Sequence, residues 1–229
     1  MVMNFMNFTF CAIDIGITQE EKKIILNEIL NVPDKYYQGN EFRGCRILPV
    51  YNGGGVRGQR EEVGDTSKGD FKYTDVEGFL KNSIKIFEKK IFSWMNPVGR
   101  LNVLRTKANL GLNVHMDTKA DEIGTRQHKY RLVLNGNIDK LYFLDKDSNK
   151  IYVPDCYDSY VLDGSHVHSL DPSDQEKITL CVGSPWDGKP TNKYLNLIKN
   201  SPYKMKLSRP NYVEESWVDP HFKYTTRDS

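Results

Sequence analysis

The chain has 229 residues, 38% hydrophobic and 27% charged, which suits one barrel-sized globular core with elaborations. Its 32 basic residues nearly balance 30 acidic ones, for a net charge of +2, so no field of one sign argues for a nucleic-acid or membrane partner. Cys11, Cys45, Cys156 and Cys181 are widely scattered with no CxxC pair. That spacing argues against a zinc ribbon and a disulfide framework and for reduced thiols in a cytoplasmic protein.

The opening run "MVMNFMNFTFCAIDIGI" has no basic leader and is interrupted by Asp14, so it reads as a buried strand and not as a membrane span. In "TQEEKKIILNEILN" a capping-box pattern, Thr18 with Glu21, precedes apolar residues at helical spacing and Pro33, which predicts a helix. Residues 51–70, "YNGGGVRGQREEVGDTSKGD", are too polar and glycine-rich to bury a core and predict a mobile loop, a lid over a site or a bare insertion. No GK[ST] ending follows its glycines, which disfavours a phosphate cradle. A second capping pattern, Thr74 with Glu77, precedes Phe79, Leu80, Ile84, Phe87, Ile91 and Trp94 and predicts one continuous helix ending before Pro97.

From Arg100 the texture changes to short extended segments: "RLNVLRT", "LGLNVHMD", "YRLVLNG", "KLYFLD", "KIYVP", "SYVLDG" and "KITLCVG". Turn dipeptides such as Asn135-Gly136, Asp147-Ser148 and Asp163-Gly164 separate them, which predicts an antiparallel sandwich or small barrel of jelly-roll type. After Trp186 the sequence returns to mixed structure.

The histidines carry the chemistry. His115 and Asp117 stand two apart in "NVHMDT", and a later strand end, "LDGSHVHSL", offers His166 and His168, which share a face if that segment is extended. An H-x-D pair alone is weak, but two histidines and a carboxylate on one barrel face form the triad that holds non-haem Fe(II) with positions left open. This arrangement resembles the Fe(II)/2-oxoglutarate-dependent oxygenases, and within them the aspartyl/asparaginyl β-hydroxylase and amino-acid hydroxylase branch. The resemblance runs from about Arg100 to Trp186, under half the chain.

It implies a mainly β fold with flanking helices around a double-stranded β-helix (jelly-roll, cupin-like) core. Residues 1–99 would supply an N-terminal strand, supporting helices and the glycine-rich loop; 100–188 the catalytic core; 189–229 an extension packed on it. His115, Asp117 and His168 match the family's metal ligands, because "LDGSHVH" puts His168 at the distal histidine's place and leaves His166 in the pocket wall. Family members carry an Arg or Lys on the strand after that histidine, with a hydroxyl residue two positions later. Lys177 and Thr179 fit. The nearest branch usually has Arg here, which leaves Arg131 as a second candidate for the far carboxylate of 2-oxoglutarate.

The activity so implied uses Fe(II), 2-oxoglutarate as cosubstrate and dioxygen, releases succinate and carbon dioxide, and hydroxylates an amino-acid, peptide or protein substrate. Two other readings remain open. A cupin-type metal site would use His166 and His168, but Pro172 and Ser173 stand where its glutamate belongs and only His221 could complete it. A non-catalytic jelly-roll module for a peptide or sugar would use Tyr130, Tyr142, Tyr152, Tyr157, Tyr160 and Trp186 as its surface. His128 reads as a surface residue or one backing the site, and His221 as tail packing.

Overall fold

The computed structural model describes residues 7–40, 45–52, 72–95, 100–117, 128–183 and 190–217. Its strands are β1 (Phe10–Ala12), β2 (Gln38–Asn40), β3 (Cys45–Asn52), β4 (Lys72–Tyr73), β5 (Leu101–Thr106), β6 (His128–Asn135), β7 (Leu141–Leu144), β8 (Lys150–Tyr152), β9 (Ser159–Asp163), β10 (His168–Leu170), β11 (Lys177–Gly183) and β12 (Lys204–Met205). They form two antiparallel sheets. The larger runs β12-β1-β9-β6-β11-β5-β3-β2, with β4 beside β3, and the smaller runs β10-β7-β8. The two faces of a double-stranded β-helix are therefore present, and the larger sheet draws strands from both sides of residue 100.

Alternation along β11 separates two environments. Ile178, Leu180 and Val182 join the core beneath the helices, with Ile25, Ile29, Leu80, Phe87, Ile91 and Trp94. Lys177 and Thr179 face the smaller sheet instead and share a cavity with Leu141 and Leu170. Between the sheets lies a second apolar cluster that includes Phe10, Val133, Phe143, Tyr160 and Leu162.

Helix α1 (Gln19–Leu30) opens as its sequence predicts: Thr18 caps it and Glu21 reaches back to the Thr18 backbone. Ile25 and Ile29 are fully buried, each contributing roughly 1.5–3 kcal/mol. The predicted second helix is corrected. Thr74 does not cap it, because its hydroxyl donates to the Pro49 carbonyl at 2.8 Å, and the segment divides into a 3-10 turn (Glu77–Phe79), α2 (Lys81–Ile86), a π turn (Phe87–Ile91) and another 3-10 turn (Phe92–Trp94).

The N-terminus of α2 is served from α1. Glu28 accepts from the backbones of Asn82 and Ser83 at 3.1 and 2.8 Å, satisfying donors that a helix start leaves open. Burial pushes the Glu28 carboxyl up, yet the bonds from Ser83 and Asn82 outweigh it and hold the group below its ordinary range. Helix α3 (Asn192–Lys199), capped by Thr191, places Tyr194 and Ile198 in the core.

The segment from Leu110 to Asp117 is a correction too: it forms no strand, and His115 makes an isolated antiparallel bridge with His168. Gly111 explains how it lies so close to β10, since a Cβ there would stand 2.4 Å from the Leu170 carbonyl oxygen. All four cysteines are thiols. Most of the glycine-rich stretch, residues 53–70, lies outside the described residues, as do Trp186 and His221. No helix among the described residues is long and apolar enough to cross a membrane.

Candidate metal and cosubstrate site

The bridge between His115 and His168 builds the frame. Each residue's N–H donates to the other's carbonyl at 3.0 Å, the closed pair of a hydrogen-bonded antiparallel site, and the rings stand with centroids 4.6 Å apart. The Asp117 N–H donates to Gly164 O at 2.6 Å, which ties the carboxylate's backbone to the turn preceding His168.

Two carbonyls set the imidazoles. His115 Nδ1 lies 2.6 Å from Asn113 O, and His168 Nδ1 lies 2.7 Å from His166 O. With Nδ1–H donating, Nε2 carries the lone pair, and Nε2 is the atom each ring turns toward Asp117: 3.8 Å to Oδ1 from His115 and 3.7 Å to Oδ2 from His168. One ligand atom from each of the three residues falls within 4.8 Å of the others, and all three residues are buried. Two imidazole nitrogens and one carboxylate oxygen on one side of a cavity are a donor set suited to a non-haem Fe(II) ion.

His166 is turned elsewhere. Residues 164–166 form a turn, so the extended stretch that would have aligned the two histidines begins only at His168. Its Nε2 lies 2.7 Å from Leu144 O, and burial holds its pKa below the ordinary value, so the ring is neutral and donates to that carbonyl. Its backbone, through the carbonyl on His168 Nδ1, still orients the His168 ring. His128 is corrected from a surface position: it is 5% exposed, stacks on Phe8 at 4.6 Å and pairs with the Tyr194 hydroxyl at 2.9 Å.

From His115 and His168 a cavity lined also by Arg131 leads past Leu104, Leu112, Leu162 and Tyr160 to Thr179, Thr106 and Lys177. Lys177 is 7% exposed. Burial, helped by Arg131 and opposed by Cys181 and Asp139, pushes its pKa down to about 8. No hydrogen bond or ion pair joins its ammonium to any described residue, so a buried cation stands ready for an anion. The Thr179 hydroxyl lies two residues along the same face and is likewise unengaged among the described residues. Arg131, in register with Cys181 on β11, donates from one terminal nitrogen to Asp117 Oδ2 at 3.0 Å and from the other to Tyr130 O at 3.1 Å.

No protein-family model matches the chain, and no curated protein matches it significantly. Solved structures similar to it include a Pseudomonas putida prolyl-4-hydroxylase, with 13% identity over 80% of this chain and 96% of that one and a TM-score of 0.49. Another is a prolyl hydroxylase from Trichoplax adhaerens in complex with a hypoxia inducible factor peptide fragment, at 15% identity, 86% and 90% coverage and a TM-score of 0.48. A third is HygX from Streptomyces hygroscopicus with nickel and 2-oxoglutarate bound, at 11% identity, 80% and 85% coverage and a TM-score of 0.45. At these values the reading of the site rests on its own residues.

Sequence reasoning missed several groups that serve the site. Asn113 and His166 act through carbonyls, which carry no residue signature. Trp217 accepts from the Met116 N–H at 2.9 Å and packs beside Met116, Tyr142, Leu144 and Val167, so the C-terminal extension holds the backbone between His115 and Asp117. Gly111 carried the readable signal, a glycine just before an apolar run. Of the aromatics that a binding module would use, Tyr130, Tyr142 and Tyr160 are at most 3% exposed and cannot serve as its surface, whereas Tyr152 is exposed.

Proposed function

We propose that the protein is an Fe(II)- and 2-oxoglutarate-dependent dioxygenase that hydroxylates an amino-acid or protein side-chain substrate. One observation carries this reading: the buried cluster of His115, Asp117 and His168 shares its cavity with a buried lysine that no described residue neutralises. When bound, iron and 2-oxoglutarate would supply the activation of dioxygen, with decarboxylation of the cosubstrate to succinate and carbon dioxide. The chain's residues bind and orient. His115, Asp117 and His168 hold the metal through Nε2, a carboxylate oxygen and Nε2. Lys177 pairs with the far carboxylate of 2-oxoglutarate, Thr179 donates a hydroxyl to it, and the leucines between them exclude water.

The donor set fits the ion, and the orphaned cation fits the cosubstrate. A cupin site through His166 finds no such support, because that ring is committed to Leu144. Within the family, the His-x-Asp pair and the "LDGSHVH" segment favour the aspartyl/asparaginyl β-hydroxylase and amino-acid hydroxylase branch, and Lys177 in place of its usual Arg is the departure. The balanced charge favours a peptide, protein or free amino acid over nucleic acid, and four thiols with no disulfide fit a reducing, cytoplasmic setting.

Ligand linkage supplies the test. Mn(II) with 2-oxoglutarate should raise the melting temperature beyond Mn(II) alone, because only a bound ligand stabilises the native state. The increment should vanish in His168→Ala. Equal melting temperatures for wild type in both conditions would overturn the reading.

A further inference from the structure

We propose that Arg131 is the positioning residue of the metal centre, fixing the carboxylate of Asp117 on the metal, and that it does not clamp the cosubstrate. The inference rests on the reading of His115, Asp117 and His168 as metal ligands and deepens it. Arg131 sits on β6, paired on one side with β9 and on the other with β11, so its backbone belongs to the rigid middle of the larger sheet. Its guanidinium is held at both ends: one terminal nitrogen on its own strand's Tyr130 carbonyl, the other on Asp117 Oδ2. The side chains of this pair are 10% and 4% exposed.

A planar guanidinium with two fixed contacts dictates the plane and tilt of the carboxylate it touches, which a flexible ammonium does not. Bound by Arg131, Asp117 keeps Oδ2 3.7 Å from His168 Nε2 and Oδ1 3.8 Å from His115 Nε2, so the guanidinium fixes which oxygen faces which imidazole. The carboxylate is also compensated before any metal arrives, as a buried anion requires. Lys177 stands four residues before Cys181, Arg131's partner in register, on β11, a backbone separation of roughly 13 Å by strand rise. Both cations line the cavity; Arg131 serves the metal through its bond to Asp117, and Lys177, with no such bond, the far carboxylate.

The test uses the full chain, anaerobic Co(II) as probe and visible absorption as readout, in wild type, Arg131→Met, Arg131→Lys, Lys177→Met and His168→Ala. Co(II) affinity should fall about 10–100-fold in Arg131→Met, the usual effect of losing a partner of a metal ligand, and the absorption of the saturated complex should change shape. Arg131→Lys keeps the buried charge and should fold; it should lose affinity by an intermediate factor. At saturating Co(II), 2-oxoglutarate affinity in either Arg131 variant should stay within about threefold of wild type while Lys177→Met loses it.

Unchanged Co(II) affinity and spectrum in both Arg131 variants would overturn the proposal. So would a loss of 2-oxoglutarate affinity in them as large as that of Lys177→Met. Retention of Co(II) by His168→Ala would show instead that the metal assignment itself has failed.

Discussion

Replacing Lys177 with Met should make the free protein more stable and the cosubstrate site useless. Burial holds the lysine at about 8 against an ordinary value of 10.5, which corresponds to roughly 3 kcal/mol against its charged form in the fold. Methionine fills similar space with no charge to desolvate, so at pH 7 the variant should gain up to about 3 kcal/mol. The sign with pH follows from linkage. Between pH 8 and 10.5 the unfolded chain holds the proton and the folded protein does not, so Lys177's penalty in the wild type fades as pH rises through that window. The variant's margin should therefore narrow by about 3 kcal/mol from pH 7 to pH 10.5. Its affinity for 2-oxoglutarate should fall roughly 30-fold or more, with Mn(II) binding intact. Urea unfolding at several pH values and calorimetric titration of 2-oxoglutarate measure the two effects. A variant less stable than wild type, with a margin indifferent to pH and ordinary affinity, would refute the reasoning.

In the wild type, apparent affinity for 2-oxoglutarate should decline about tenfold per pH unit above pH 8, because only the ammonium form binds; titration calorimetry across that range checks it. His166→Ala should retain one metal per chain and His168→Ala should not, as measured by metal analysis after desalting; equal retention would remove the distinction drawn between the two rings. Gly111→Ala forces a Cβ to within 2.4 Å of a backbone oxygen, so it should cost roughly 1–3 kcal/mol and loosen the His115–His168 bridge; urea unfolding and amide exchange at those residues report it.

What the sequence disclosed and what it concealed have physical causes. The first helix was legible because its cap and apolar spacing are local, and the cluster of His115, Asp117 and His168 because H-x-D and a later distal histidine keep their order. Strand β3 was hidden by Pro49, which cannot donate to a ladder; the register shift between Pro49 and Tyr51 is where the sheet accommodates it. The second helix looked continuous because its apolar spacing persists through a π turn, and its real cap, Glu28, comes from a different helix. His128 looked exposed because nothing local announces the Tyr194 hydroxyl from α3. The shared face of His166 and His168 was conditional on extended backbone, and the turn at 164–166 removes that condition.

The central claim is that one buried site takes Fe(II) and 2-oxoglutarate together. Titrating 2-oxoglutarate into the anaerobic Fe(II) protein and recording metal-to-ligand charge-transfer absorption tests it most directly, since that band requires both on one centre. The account predicts a new band that saturates at about one equivalent per chain and is absent from His168→Ala. Iron bound at one equivalent with no band at any concentration of 2-oxoglutarate would contradict it.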